Sequence, residues 1–383
     1  MLKVPSVEAE TTAEMVETTE SRRIGDPDPG SAIFQRKRWL IIAVAVLAVV
    51  ASGVFYFSGA YDRWRDNRTF ADTCRGSVDT SEVKELLGAD RVRGHDVEVQ
   101  PGINPRAGRL HKCAVSDPEG AAWLSVALDW GSDAAGALHD FGGFSPYEDG
   151  GMAVPLGHGW EGVMAEGGVG SDRVAMVNMP CSNRRSDPER SSLVVTVQSA
   201  GTQQKGGAAQ RDRFARTAVE TAGNAAKAWG CTARPGGAIE SLPEPGSTTA
   251  REGMAQGTCQ GIKAAVRESA TASKAPIENC YLLSDSGTAQ YRVSAFYGPF
   301  AHAVPAQIGY GDVFDSSKPA GRKGSGVWAS AGCPSGGRAL YIVTALPDTD
   351  DHFDPDGHLA NAALKTFATH SAERHGCGDL KFP

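Results

Sequence analysis

All eight cysteines of this 383-residue chain lie beyond residue 73, at positions 74, 113, 181, 231, 259, 280, 333 and 377, and they fall into two sets of four with matching surroundings. Thr73-Cys74-Arg75-Gly76 opens the first set and Thr258-Cys259-Gln260-Gly261 the second. Each T-C-x-G precedes apolar residues at helical spacing, Val83, Leu86 and Leu87 in one half and Ile262, Ala265 and Val266 in the other, which predicts a short helix in both. Cys113 then heads C-A-V-S-D and Cys280 heads C-Y-L-L-S-D, and strand-like runs follow at Trp123 to Trp130 and Tyr291 to Tyr297. The third cysteines, Cys181 and Cys333, precede runs rich in β-branched residues at Leu193 to Val197 and Ala339 to Leu346. Each half closes on a long helical pattern, 211–229 or 358–375, ended by Gly230-Cys231 or Gly376-Cys377 where a C-terminal cap belongs. Four landmarks in one order, each with its own flanks, indicate an internal duplication.

Within each half strands come in runs instead of alternating with helices, which predicts an α+β fold with an antiparallel sheet and a helix on one face. The expected architecture is an N-terminal transmembrane helix followed by two similar antiparallel-sheet-plus-helix domains, each with two disulfides. The divisions are a disordered acidic cytoplasmic tail over 1–38, a transmembrane helix over 39–61, extracytoplasmic repeats over 62–232 and 253–383, and a linker over 233–252. Pro, Gly, Ser and Thr concentrate from Ala233 to Ala250, as in a connecting segment.

An even cysteine count, entirely on one side of the apolar segment, is the distribution of structural disulfides in an oxidising compartment. Zinc or redox chemistry would need converging ligand spacings or a C-x-x-C pair, and the sequence has neither. Several pairings stay open within each half. A helix that returns antiparallel across its sheet ends near the start of the preceding strand, so third should bond to fourth. The expected set is Cys74–Cys113, Cys181–Cys231, Cys259–Cys280 and Cys333–Cys377, each bond contributing about 3 to 4 kcal/mol by chain entropy.

From Trp39 to Tyr61 no residue is charged, and Leu, Ile, Val and Ala fill the run. A helix needs roughly 20 apolar residues to cross a bilayer core, so the length suffices. Arg36, Lys37 and Arg38 abut its start, which by the positive-inside bias holds the N-terminus in the cytoplasm and the C-terminal bulk outside. Arg63, Arg65 and Arg68 oppose that bias, with Asp62 and Asp66 among them. The competing reading is a cleaved secretory signal, but such signals carry a shorter leader and a shorter apolar run.

The tail is rich in Glu and Thr and poor in large apolar side chains, so it cannot offset its ordering entropy. Thr11, Thr12, Thr18 and Thr19 are candidate phosphoacceptors in it, and Asn67-Arg68-Thr69 is a chance sequon. The formal charge of -7, without a Lys/Arg cluster away from the membrane flank, argues against nucleic-acid binding.

Nucleophile elbows, H-E-x-x-H, P-loops and dinucleotide fingerprints are absent from the sequence. Gly321 to Gly326 (GRKGSG) lacks the ending of a phosphate loop and reads as a surface turn. Asp348, Asp350, Asp351, Asp354 and Asp356 surround His352 and His358, but their spacing fails a calcium loop, so Asp354 and Asp356 are expected to cap the following helix. Gly157 to Ala165 (GHGWEGVMA) and Gly309 to Val313 (GYGDV) are either ligand loops or turns whose Trp160 and Tyr310 cover the sheet. A hydrolase site would have to be assembled from dispersed residues such as His111, His139 and Asp140. No catalytic residue, metal ligand or cofactor site is therefore assigned.

The acidic leader, the Ala, Gly, Arg and Asp bias, and the paired T-C-x-G and helix-ending Gly-Cys motifs resemble single-pass, membrane-anchored envelope proteins of actinobacteria. The resemblance covers the membrane segment and both halves and implies a cell-envelope location without an activity. The expected function is a membrane-anchored extracytoplasmic module that binds an envelope protein or another envelope component. A single-pass sensor coupling an outer ligand to a cytoplasmic partner is the alternative, and an envelope hydrolase a third.

Overall fold

The computed structural model describes residues 29–57, 60–98, 109–141, 151–168, 171–201, 207–243, 247–307, 309–334, 337–347, 349, 354 and 357–383. The chain divides into two compact units, Met1–Tyr61 and Asp62–Pro383. Residues 1–28 of the expected tail, with its threonines, lie outside the described residues, whereas residues 29–38, expected to be disordered, are helical and open α1. In the first unit helix α1 (Pro29–Phe57) contains the stretch Trp39–Phe57, long and apolar enough to cross a membrane, none of it buried. Its side chains are apolar all round, which a helix in water could not sustain without a partner.

The second unit begins in α2 (Ala60–Asp72) and α3 (Thr80–Leu87). Asp79 caps α3 by accepting from the Ser81 and Glu82 N–H groups, Gly88 ends it in the left-handed conformation, and Val83, Leu86 and Leu87 are its buried face. Seven strands then form an antiparallel sheet: β1 (Arg93–Asp96), β2 (Arg109–Ser116), β3 (Trp123–Trp130), β4 (Val154–Pro155), β5 (Gly162–Gly168), β6 (Ser171–Pro180) and β7 (Ser192–Ala200). Their order is β1-β2-β3-β7-β6-β5-β4, with α4 (Ala135–Phe141) after β3 and α5 (Gly207–Ala228) after β7.

Eight strands form the second antiparallel sheet: β8 (Thr248–Ala250), β9 (Ala265–Glu268), β10 (Ile277–Leu283), β11 (Ala289–Tyr297), β12 (Gly321–Lys323), β13 (Gly326–Gly332), β14 (Arg338–Ala345) and β15 (Gly378–Lys381). The order is β8-β9-β10-β11-β14-β13-β12, and β15 adds onto β13. Helices α6 (Pro299–Ala303) and α7 (Tyr310–Val313) follow β11, and α8 (His358–His375) follows β14. The helix expected after Cys259 is not formed. Its residues Ala265 and Val266 lie in β9, where alternate burial and pairing with β10 satisfy the backbone better than one isolated turn.

The central strands of both sheets are buried on both faces. Leu193, Val195 and Val197 of β7 face a core shared with α5, and Tyr341 and Val343 of β14 face one shared with α8. The intervening residues Val194, Leu340 and Ile342 join a third core to which both halves contribute, with Phe141, Phe296, Phe300 and Trp328 at its heart. Strand periodicity explains the division, because successive side chains point to opposite faces. Polar contacts cross the same boundary: Asn279 Oδ1 accepts from Ala153 N at 2.8 Å, and Gln307 Nε2 donates to Ala135 O at 2.8 Å. The result is one unit in which the inner faces of two sheets share a core and each outer face carries a helix.

Four disulfides join Cys74 to Cys113, Cys181 to Cys231, Cys259 to Cys280 and Cys333 to Cys377, two within each half. The second and fourth staple the ends of β6 and β13 to the ends of α5 and α8. The connecting segment 233–252 is more than a spacer. Ile239 and Leu242 are buried in the α5 core, Arg211 Nη2 donates to Pro243 O at 2.7 Å, and the segment ends in β8.

Candidate functional site

The Cys333–Cys377 bond sits beside an open groove of about 410 Å³ at one end of the second sheet. Its floor is Ser330, Ala331 and Gly332 of β13, and Lys318, Arg338, Asp379 and Lys381 are among the residues that line it. Strand register places them. Gly332 pairs with Arg338 of β14 on one side and Gly378 of β15 on the other, and Ser330 pairs with Lys381. Directly opposed residues in an antiparallel ladder share a face, as do residues two apart on one strand. Arg338 and Lys381 therefore flank β13 on the face that carries Ser330. The register slips by one residue between the two β15 pairs, and Asp379 within the slip has φ 53°.

Lys318 arrives on a loop fixed from below. Its carbonyl accepts from Trp328 Nε1 at 3.4 Å, and its N–H donates to Asp315 O at 3.1 Å. Asp315 Oδ1 accepts from both the hydroxyl and the N–H of Ser317, at 2.6 and 3.0 Å, which holds its carboxyl below the usual aspartate range. That carboxylate is 3.9 Å from Lys318 Nζ, at the limit of an ion pair. The Arg338 guanidinium and the Lys381 ammonium have no hydrogen-bonding or ionic partner among the described residues. A Cβ on Gly332 would meet nothing within 4 Å, so the space above the floor is open.

The first half lacks these features at the equivalent places. Pro180, just before Cys181, pairs with Ser192 where Gly332 pairs with Arg338, and no described strand corresponds to β15 after Cys231.

A second constellation has the residue types of a hydrolase and a different geometry. Glu278 on β10 is 1% exposed; its Oε2 accepts from Arg374 Nη2 at 2.8 Å and from Ser371 Oγ at 2.5 Å, and His375 Nε2 lies 3.4 Å from its Oε1. Burial alone would raise the Glu278 pKa, but the His375 hydrogen bond and the Arg374 charge outweigh it and hold the carboxyl below the ordinary glutamate value. Tyr297 hydrogen-bonds to Ser371, and its ring stacks on His375 at 3.7 Å. Ser371 is fully buried and bonded to the acid, whereas a nucleophile needs its hydroxyl on the imidazole and open to substrate. This network ties α8 to its sheet. His111 and Trp229 occupy the same positions relative to Cys113 and Cys231, their rings 5.5 Å apart.

The residues proposed for a dispersed hydrolase site are not brought together. His111 Nε2 lies 3.1 Å from Asp96 Oδ1 on the α5 side of its sheet, whereas Asp140 on α4 accepts from Arg109 Nη2 at 2.5 Å. His139 stands in the last turn of α4. Arg109 also reaches Asp129, at 3.2 Å. Two carboxylates share that one buried guanidinium, and burial pushes Asp129 up to about 6.

Trp160 and Tyr310 are buried, Trp160 donating from Nε1 to Gly237 O at 2.8 Å, so both aromatics pack inward, one on the turn before β5 and the other at the start of α7. Gly321–Lys323 is β12, and Gly324 turns the chain into β13. Asp354 accepts from the N–H groups of Leu359 and Ala360 at 3.0 and 2.8 Å, capping α8; Asp348, Asp350, Asp351, His352 and Asp356 lie outside the described residues. The groove cations escape a sequence reading because they are dispersed over residues 318 to 381 and only strand pairing gathers them.

Comparison of the chain with protein-family models, curated proteins and solved structures gives no significant match.

Proposed function

We propose that this chain is a single-pass, membrane-anchored binding module of the cell envelope. Its N-terminus lies in the cytoplasm, residues 62–383 lie outside, and the outer unit arose by duplication. The single observation that carries the binding reading is the open groove beside Cys333–Cys377, lined by cations of which two have no partner among the described residues. A membrane-compatible helix and four disulfides support the anchored, extracytoplasmic placement. Arg36, Lys37 and Arg38 support the orientation. The closed Ser371–Glu278–His375 network favours binding over hydrolysis, because a substrate has no access to a hydroxyl buried under α8.

Divergence between the halves fits this reading. Both halves keep the staples and the outer helix, while one alone carries the Gly332–Arg338 pair and β15.

A photocrosslinking residue at Ser316, on the groove rim, tests the proposal in intact cells against the same residue at Glu189, an exposed position in the other half. Adducts at Ser316 and none at Glu189 are expected. Equal labelling at both positions, or none at Ser316, contradicts a binding groove.

A further inference from the structure

The geometry points to a dianionic phosphoryl group as the chemistry this groove recognises, a deepening that rests on the binding-module reading above. Lys318, Arg338 and Lys381 set three positive charges against Asp379 in the lining and Asp315, whose carboxylate lies 3.9 Å from Lys318 Nζ, on a chain whose overall formal charge is -7. The net excess of one positive charge in a concave site concentrates field on an anion, and Arg338 and Lys381, the two cations without a partner among the described residues, can together face a phosphate monoester, which carries about −1.5 to −2 at neutral pH.

Shape adds to charge. The cations come from three segments: the 315–319 loop, β14 and β15. Adjacent strands are about 4.8 Å apart and residues rise about 3.4 Å each, so the Cα atoms of Arg338 and Lys381 stand roughly 12 Å apart across β13. Two long side chains can meet over one anion at that distance. A tetrahedral phosphoryl group accepts from several directions at once, whereas a planar carboxylate offers two oxygens in one plane. Arg338 supplies a forked donor and the lysines supply point charges, the usual division of labour around phosphate.

Gly332 is the floor over which such a group would sit. Its backbone does not require glycine by torsion, and its Cβ direction is open, so the absence of a side chain leaves the approach clear. The Cys333–Cys377 bond and the Cys333 N–H to Gly337 O hydrogen bond, at 2.8 Å, fix β14 and β15 against this floor. The backbones that carry Arg338 and Lys381 are therefore fixed before a ligand arrives, so only side-chain freedom is left to lose on binding.

The test uses the full chain in phosphatidylcholine nanodiscs and radiolabelled inorganic phosphate in equilibrium dialysis. One saturable site is expected, at least tenfold weaker in Arg338→Gln and in Gly332→Gln, unchanged in Glu189→Gln, and not displaced by acetate at the same ionic strength. A Cβ at Gly332 meets nothing within 4 Å, so Gly332→Gln is expected to fold, and a retained melting temperature separates loss of binding from a folding defect. Binding that is equal in all variants, or equally displaced by acetate, overturns the inference. In cells, Ser316 adducts that form but resist competition by phosphate overturn it while leaving the binding-module reading intact; absence of adducts removes that reading instead. Nanodiscs containing phosphatidic acid distinguish the source, since a lipid adduct at Ser316 there assigns the phosphoryl group to a headgroup, and its absence beside phosphate binding assigns it to a soluble or polymeric ligand.

Discussion

Glu278 and Asp129 are two buried carboxylates with opposite pH behaviour, and their surroundings explain the difference. Glu278 has Arg374, His375 and Ser371 to itself and is held below its ordinary value of 4.5. Its ionised form therefore contributes stability that is complete above about 4.5 and is lost as pH falls through the lower folded value. Asp129 shares Arg109 with Asp140 and rises from 3.8 to about 6. The folded state then holds its proton longer than the unfolded chain, so this group costs stability progressively as pH rises from about 3.8 to about 6, and fully above that. Chemical denaturation across this range should show Asp129→Asn gaining on the parent protein by on the order of 2 kcal/mol as pH rises. Arg374→Met should lose about 3 to 5 kcal/mol at neutral pH by leaving Glu278 buried without its cation. A pH-independent difference for the first, or a loss under 1 kcal/mol for the second, removes the corresponding account. Neither group was legible in the sequence. Both are single acids in apolar strands, and their partners lie on other elements, up to residue 375 for Glu278.

At the scale of elements the sequence was far more informative, because caps and periodicity are local. The buried face of α3, the strand runs of β3, β7 and β14, the outer helices α5 and α8 and the role of Asp354 at α8 could all be read from neighbouring residues. Asp354→Ala should cost about 1 kcal/mol, read from the shift in denaturation midpoint, by leaving the Leu359 and Ala360 N–H groups unsatisfied; a neutral result would mean that water replaces the cap. Reading failed where a short segment's structure depends on what lies beside it. Residues 265–266 carry helical spacing yet join β9 because β10 offers an edge. Strand β15 has four residues with no alternation to announce them, and it exists because the Cys333–Cys377 bond delivers the chain to the free edge of β13. The groove depends on that strand, so it was as hidden as β15 itself.

For the whole molecule, the similarity of the halves was visible in the cysteine landmarks, but their union was not. Alternation in β7 and β14 assigns an inner face to each sheet without saying what covers it, and the answer is the other half. Residues 247–383 expressed alone would expose Phe296, Phe300, Tyr310 and Trp328, and should bind a hydrophobic dye that the intact 62–383 unit excludes. A dye-silent, fully cooperative isolated half would show that the shared core is dispensable. The membrane assignment rests on a different kind of signal, since Trp39–Phe57 is apolar on every side and buried on none. The most direct test of the account is limited proteolysis of right-side-out spheroplasts, with the peptides analysed by mass spectrometry without reduction. The account predicts cleavage confined to residues beyond 61, protection of residues 1–38, and the eight cysteines recovered as the four linked pairs. Cleavage of the N-terminal tail from outside, or recovery of these cysteines as free thiols, would contradict it.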